Sequence, residues 1–209
     1  VFADLLGGTP CNQSIFIENP NVTVVAGMNL PMLMECLGMR LGGTIDIDKY
    51  YRDRLDIVLA GFHPNNPPTN PEEHLKNYIS VMEKGLVDVI SHPGNASYPC
   101  DYEELLVAAK KYNVAVEINS SSDVNTRKGS HENCVKIAHL AKKIGTTISL
   151  GTDSHISYYL GNFESVMEIL KDANIGEDQI INTSPLKVLD FLESRGKEPI
   201  AQMRSFFEK

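Results

Sequence analysis

The chain has 209 residues, 42% of them hydrophobic and 22% charged, with a formal net charge of −8. This is the size and composition of one good-sized globular domain, or of a domain with a fragment attached. The acidic balance argues against non-specific nucleic-acid binding and against an anionic membrane surface, and no apolar run approaches the ~20 residues that span a bilayer.

The chain opens Val1-Phe2-Ala3-Asp4 with no basic leader region, so no signal peptide is expected. Residues 1–3 read as a strand, Gly7-Gly8-Thr9-Pro10 as a turn, 11–16 as a helix and 22–26 as a strand. A second helix starts from Asn29, a good N-cap, with Pro31 in its first turn. Up to residue 42, Arg40 is the only Lys or Arg. The character changes near Leu41-Gly42-Gly43-Thr44, which sets a domain boundary at 43/44. From Thr44 onward strands are expected over 55–61, 86–91, 114–118, 147–151 and 179–182, and helices over 71–84, 102–112, 131–144, 163–173 and 185–194. Asp101 should cap the helix that starts at Tyr102, with Glu104 completing a capping box; Ser130 should cap the helix at His131; Ser184-Pro185 should open the last helix and Gly196 close it. Alternating strands and helices imply right-handed βαβ units, an α/β fold on a parallel sheet. The cysteines Cys11, Cys36, Cys100 and Cys134 are scattered and suggest reduced thiols in a cytoplasmic protein.

Three of the six histidines end apolar, β-branched runs. Asp56 to Phe62 leads into His63, Val87 to Ser91 into His92-Pro93-Gly94, and Thr147 to Thr152 into Asp153-Ser154-His155. Such runs read as strands buried on both faces, and in α/β folds the chemistry gathers at their carboxyl ends. Imidazoles with a carboxylate at that rim are ligands for a divalent cation such as zinc, manganese or iron. The plain alternatives are a capping Asp with an exposed His, and a His that steadies the Pro93-Gly94 turn. A fourth tract, Asn119-Ser120-Ser121-Ser122 followed by Arg127-Lys128-Gly129-Ser130, places hydroxyls, amides and two cations before a helix N-terminus. Asn119, Ser120, Arg127 and Lys128 therefore suit a phosphate, though a solvated polar loop would look the same. His74 and His139 fall inside helices as surface or half-buried residues, and His131, at a helix start, is ambiguous.

Residues 44–209 resemble the PHP family of metal-dependent phosphoesterases, in the phosphatase branch near histidinol phosphatase. The resemblance is carried by Asp56 to His63, Ile90-Ser91-His92-Pro93-Gly94-Asn95, Val116 to Ser121, Arg127 to Ser130, Leu150 to His155, Asn182 to Pro185 and Phe191 to Gly196. It implies a distorted (β/α)7 barrel, here partial, with a trinuclear centre at the carboxyl rim and with His63, His92, Asp153 and His155 as metal ligands. Asp153 and His155 are then also the catalytic pair. The family's initial HxH motif, its further histidines and its bridging Glu have no match in this sequence. Residues 1–42 resemble instead the second half of a mannose-type IIA domain of the sugar phosphotransferase system, through Asp4 to Asn12 and Val24 to Leu33. That adds a β-α-β-α unit in front of the barrel segment, with Asp4 matching a residue that supports a phosphoryl-carrying His.

The expected function is a metal-dependent phosphatase that hydrolyses a small phosphomonoester through metal-bound hydroxide, with no nucleic-acid or membrane partner and with self-association left open. The alternative is a truncated or chimeric metal-binding module without turnover. A phosphotransferase component is a third reading, disfavoured because no His precedes His63.

Overall fold

The structure, a computed structural model, describes residues 2–3, 25–26, 39–40, 44–45, 49–53, 55–63, 66–121, 129–154, 161–197, 204–205 and 207–208. In chain order the elements are β1 (Phe2–Ala3), β2 (Val25–Ala26), β3 (Met39–Arg40), β4 (Thr44–Ile45), α1 (Lys49–Arg52), β5 (Leu59–Ala60), α2 (Pro71–Glu83), β6 (Val89–Ile90), α3 (Tyr102–Lys111), β7 (Ala115–Asn119), α4 (His131–Ile144), β8 (Ile148–Gly151), α5 (Glu164–Asp172), a 3-10 turn (Glu177–Gln179) and α6 (Pro185–Ser194). The first two strands pair in parallel, Phe2 with Val25 and Ala3 with Ala26. β3 and β4 form an antiparallel hairpin, Met39 opposite Ile45 and Arg40 opposite Thr44, which straddles the expected 43/44 boundary and lies against α2.

The main sheet has four parallel strands in the order β5-β6-β7-β8, so strand order equals chain order. Right-handed crossovers between successive neighbours place their helices on one face. The period of two then divides each strand. Ala60, Ile90, Val116, Ile118 and Ile148 face the helices, where Tyr78 and Val81 of α2, Leu105, Leu106 and Ala109 of α3, and Ile137, Ala138 and Ala141 of α4 pack against them. Val89 and Ala115 face the other way with Ile57 and Leu59, and meet Val188, Phe191 and Leu192 of α6.

The strands are shorter than the apolar runs that announced them. The amide of Val58, at the start of the 55–61 run, donates to the Asp88 carboxylate at 2.7 Å instead of to a strand partner. The fifth strand expected over 179–182 is a single bridge from Ile180 to Ile148. Beyond it the Asn182 side chain replaces backbone pairing: its Oδ1 accepts from Leu150 N at 3.0 Å and its Nδ2 donates to Leu150 O at 2.7 Å.

The caps largely follow the sequence. Asp101 accepts from the Glu104 amide at 3.0 Å, and Ser184 accepts from that of Lys187 at 3.3 Å. Ser130 does not cap α4. Its backbone is already helical (φ −82°, ψ −15°), and its buried hydroxyl accepts from Ala96 N at 3.4 Å instead. His74 is also unlike its expectation: it is buried, with Nε2 accepting from Thr69 N at 3.0 Å and Nδ1 donating to Pro99 O at 2.8 Å. Both ring nitrogens thus hold loops in place. His139 is exposed and pairs with Asp172 at 2.9 Å, while His131 is half-buried at the start of α4. Cys100 and Cys134 are free thiols, and burial pushes Cys100 up to about 12. Among the described residues no helix is long and apolar enough to cross a membrane.

Candidate functional site

The carboxyl ends of β5 to β8 carry the polar residues of the sheet. On the face opposite the helices the lower positions are apolar, and the upper ones are Ser91, Glu117, Asn119, Ser149 and Gly151. These upper residues, with Asp153, line a cavity of about 350 Å³ whose remaining wall is largely apolar.

His63 and His92, just past the ends of β5 and β6, come together beside this cavity without lining it. Their rings meet edge to face, with centroids 5.0 Å apart and planes at 89°. Two imidazoles that each bind one divalent ion through a nitrogen at about 2.1 Å, spread by a roughly tetrahedral angle, hold their centroids ~5 Å apart. The pair therefore fits the first two ligands of such an ion. Each histidine is also fixed through its backbone. The buried Tyr98 phenol, whose pKa burial raises, donates toward His63 O (2.6 Å) and Asn66 O (2.8 Å) and stacks on Phe62. The His92 amide donates to Glu117 Oε2 at 2.7 Å. The rings pack tightly enough to require glycine at position 61, where a Cβ would lie 2.8 Å from His92 Cε1.

Both His92 (φ +31°) and Asp153 (φ +48°) adopt the left-handed backbone that side chains rarely take. Such strain persists where the surroundings impose it, and it clusters at functional sites. Asp153 reaches the cavity wall beside Glu117. His155, Arg127 and Lys128 lie outside the described residues. Of the expected phosphate-binding residues that are described, Ser120 donates its hydroxyl to Asn162 O at 2.9 Å, and Asn119 accepts from Ser121 N at 2.8 Å while donating to Glu117 at 3.3 Å. These groups brace the loop after β7. Ser121 ties that loop to the next strand end, donating to Thr152 O at 2.7 Å. Among the described residues, no three His, Cys, Asp or Glu side chains are grouped so as to hold a metal ion.

Glu117 is the site residue that strand patterning alone did not single out. The signal was a lone carboxylate inside the apolar run Val114-Ala115-Val116-Glu117-Ile118. Charged groups are almost never buried without partners, and Glu117 is 7% exposed.

Comparison with known proteins adds two findings. Residues 1–53 match the family model of the phosphotransferase-system fructose IIA component. Most of the chain is similar to curated proteins called probable phosphatases. One from Pectobacterium carotovorum is 42% identical over 181 residues, covering 86% of this chain and 74% of that protein. One from Shewanella sp. strain ANA-3 is 40% identical over 188 residues, covering 85% and 75%. One from Proteus mirabilis is 43% identical over 178 residues, covering 85% and 73%. These matched stretches are longer than residues 44–209, so they run into the segment matched by the IIA model.

Proposed function

The chain belongs to the family of these probable phosphatases, and on that premise we propose that it is a metal-dependent phosphomonoesterase of the PHP type. The observation that carries the reading is the pair of imidazoles at adjacent strand ends, set at the separation that two ligands of one ion require. His63 and His92 would hold a divalent zinc, manganese or iron ion, joined by Asp153 and His155. Bound there, the ion would supply Lewis acidity toward phosphoryl oxygens and acidify a water molecule.

The chain's own residues do the rest. Tyr98 and Glu117 hold the backbones of the two histidines, which would limit the rearrangement needed to bind an ion. The largely apolar cavity wall beside Glu117 and Asp153 would shield one side of a bound ester from water. Arg127 and Lys128 would hold the phosphate dianion against the overall negative charge, and the bracing of Asn119 and Ser120 fixes the loop that leads to them. A small phosphorylated substrate suits the cavity volume.

Hydrolysis of p-nitrophenyl phosphate with added manganese or zinc, before and after chelation, tests the reading. Activity that disappears with EDTA and returns with metal supports it; activity that survives EDTA refutes it. The alternative is a metal-binding module without turnover. Elemental analysis separates the two, because two or three metals per chain fit catalysis and one or none fits the module.

A further inference from the structure

We infer that Glu117 is a positioning residue, whose buried carboxylate holds the His92 turn in the shape that points the imidazole at the site. This inference rests on the metal reading proposed above. One oxygen of Glu117, Oε2, collects three donors: the His92 amide at 2.7 Å, the Ser91 hydroxyl at 2.9 Å and the Asn119 side-chain amide at 3.3 Å. Two of these donors lie on consecutive residues of the neighbouring strand end. His92 has φ +31°, a left-handed backbone that side chains rarely adopt and that a restraint from its surroundings helps to hold. The carboxylate is that restraint, and a hydrogen bond from an amide to a charged acceptor is among the stronger kinds. Its other oxygen, Oε1, sits over Gly151, where a Cβ would come within 1.9 Å of it. Glycine at 151 therefore leaves the space into which the carboxylate fits. The arrangement joins three strand ends, β6 through the His92 turn, β7 through Glu117 and Asn119, and β8 through Gly151.

Two measurements on the full chain test the assignment. The first is amide hydrogen exchange, which reads the hold on His92 without any metal. In Glu117→Ala the His92 amide should exchange at least about tenfold faster, while the Val116 amide, bonded across the sheet to Thr147 O at 3.0 Å, keeps its protection. The second is calorimetric titration with Mn²⁺ alone. Loss of a group that orients a ligand typically costs ten- to a hundredfold in metal affinity, so Glu117→Ala should bind Mn²⁺ at least about tenfold more weakly. Glu117→Gln, which keeps the length and one acceptor oxygen, should recover much of both effects, and Glu117→Asp, one methylene shorter and so drawn back from the His92 amide, takes the place of the alanine variant if that does not fold. Unchanged His92 exchange in a folded alanine or aspartate variant overturns the assignment, as does unchanged Mn²⁺ affinity of that variant when the parent chain binds the ion. A wild-type chain that binds no Mn²⁺ but shows the exchange effect overturns the metal reading and leaves the hold of Glu117 on His92 standing.

Discussion

At position 61 the space left for a side chain is smaller than a methyl group: a Cβ there would lie 2.8 Å from both His92 Cε1 and Ser91 O. The backbone oxygen cannot swing away as a flexible side chain would. Gly61→Ala should therefore cost about 1–3 kcal/mol in a denaturant melt, the range for overpacking a tight interior, and should disturb the His63–His92 contact. A variant within ~0.5 kcal/mol of the parent would show that the turn can yield. The acidic partner of the pair gives a second test. On the proposed metal reading, Asp153→Ala should lose metal together with phosphatase activity, because it would remove a carboxylate that offsets the cation's charge. His139→Ala should leave both unchanged, since its ion pair with Asp172 is exposed and such pairs are worth ~0–1 kcal/mol. Parallel metal analyses of the two purified variants decide between them. At this scale the sequence exposes His63 and His92 because each ends an apolar run. It hides the role of Glu117, because the three donors on that carboxylate come from two different strand ends that only the folded sheet brings together. It misjudges His74 for a related reason, as its partners Thr69 and Pro99 lie on loops beyond the helix that carries it.

Among the elements, α6 shows how a helix is fastened below the sheet. Its first turn is capped by Ser184, and the residues just past its end reach back to one carboxylate. Arg195 Nε meets Asp88 Oδ1 at 2.7 Å and Lys197 Nζ meets Asp88 Oδ2 at 2.6 Å, while Asp88 also accepts from Val58 N. The Asp88 side chain is 4% exposed and that of Arg195 9%. Arg195 spends further donors on the carbonyls of Val87 and Tyr112, at 2.6 and 3.1 Å, and on that of Asn113. Removing one partner of a buried pair strands the other charge, so Asp88→Ala should destabilise by about 3–5 kcal/mol. Urea unfolding measures this, and a loss below ~1 kcal/mol would show that water reaches the guanidinium. The helices themselves were legible in the sequence, since their apolar spacing and end residues are local. The strand lengths were not, because Asp88 and Asn182 side chains take over backbone partners at the sheet's ends and shorten the ladders.

At the scale of the whole molecule, alkaline pH acts on a half-buried thiol and on buried phenols. Burial pushes Cys100 up to about 12 and raises Tyr102 and Tyr78 as well. A free thiol releases its proton near ~8.5, so above that pH the folded chain keeps a proton that the unfolded chain has lost. The contribution of Cys100 to stability is then constant below ~8.5 and declines as pH rises toward 12, the unfolded state binding fewer protons. Melting temperatures recorded from about pH 8 upward should fall, and Cys100→Ala should flatten the early part of that fall. An unchanged slope in the variant would put the alkaline sensitivity elsewhere. The parallel α/β sheet was legible at this scale from the alternation of periodicities, and the likeness to phosphatases from the strand-end residues. The hairpin of β3 and β4 was not, since composition alone marked the change near Gly42-Gly43.

That hairpin bears on how the chain can be divided. A cut at 43/44 follows the change in composition, yet it parts Met39–Arg40 from Thr44–Ile45 and strips one strand of its mate. Ile45 is packed against the main core, so the strand left behind would stay in place with its edge bare and ready to template pairing with another molecule. A piece that keeps this strand pair whole starts upstream of Met39. A recombination event at that boundary would have had to supply a compatible strand to succeed.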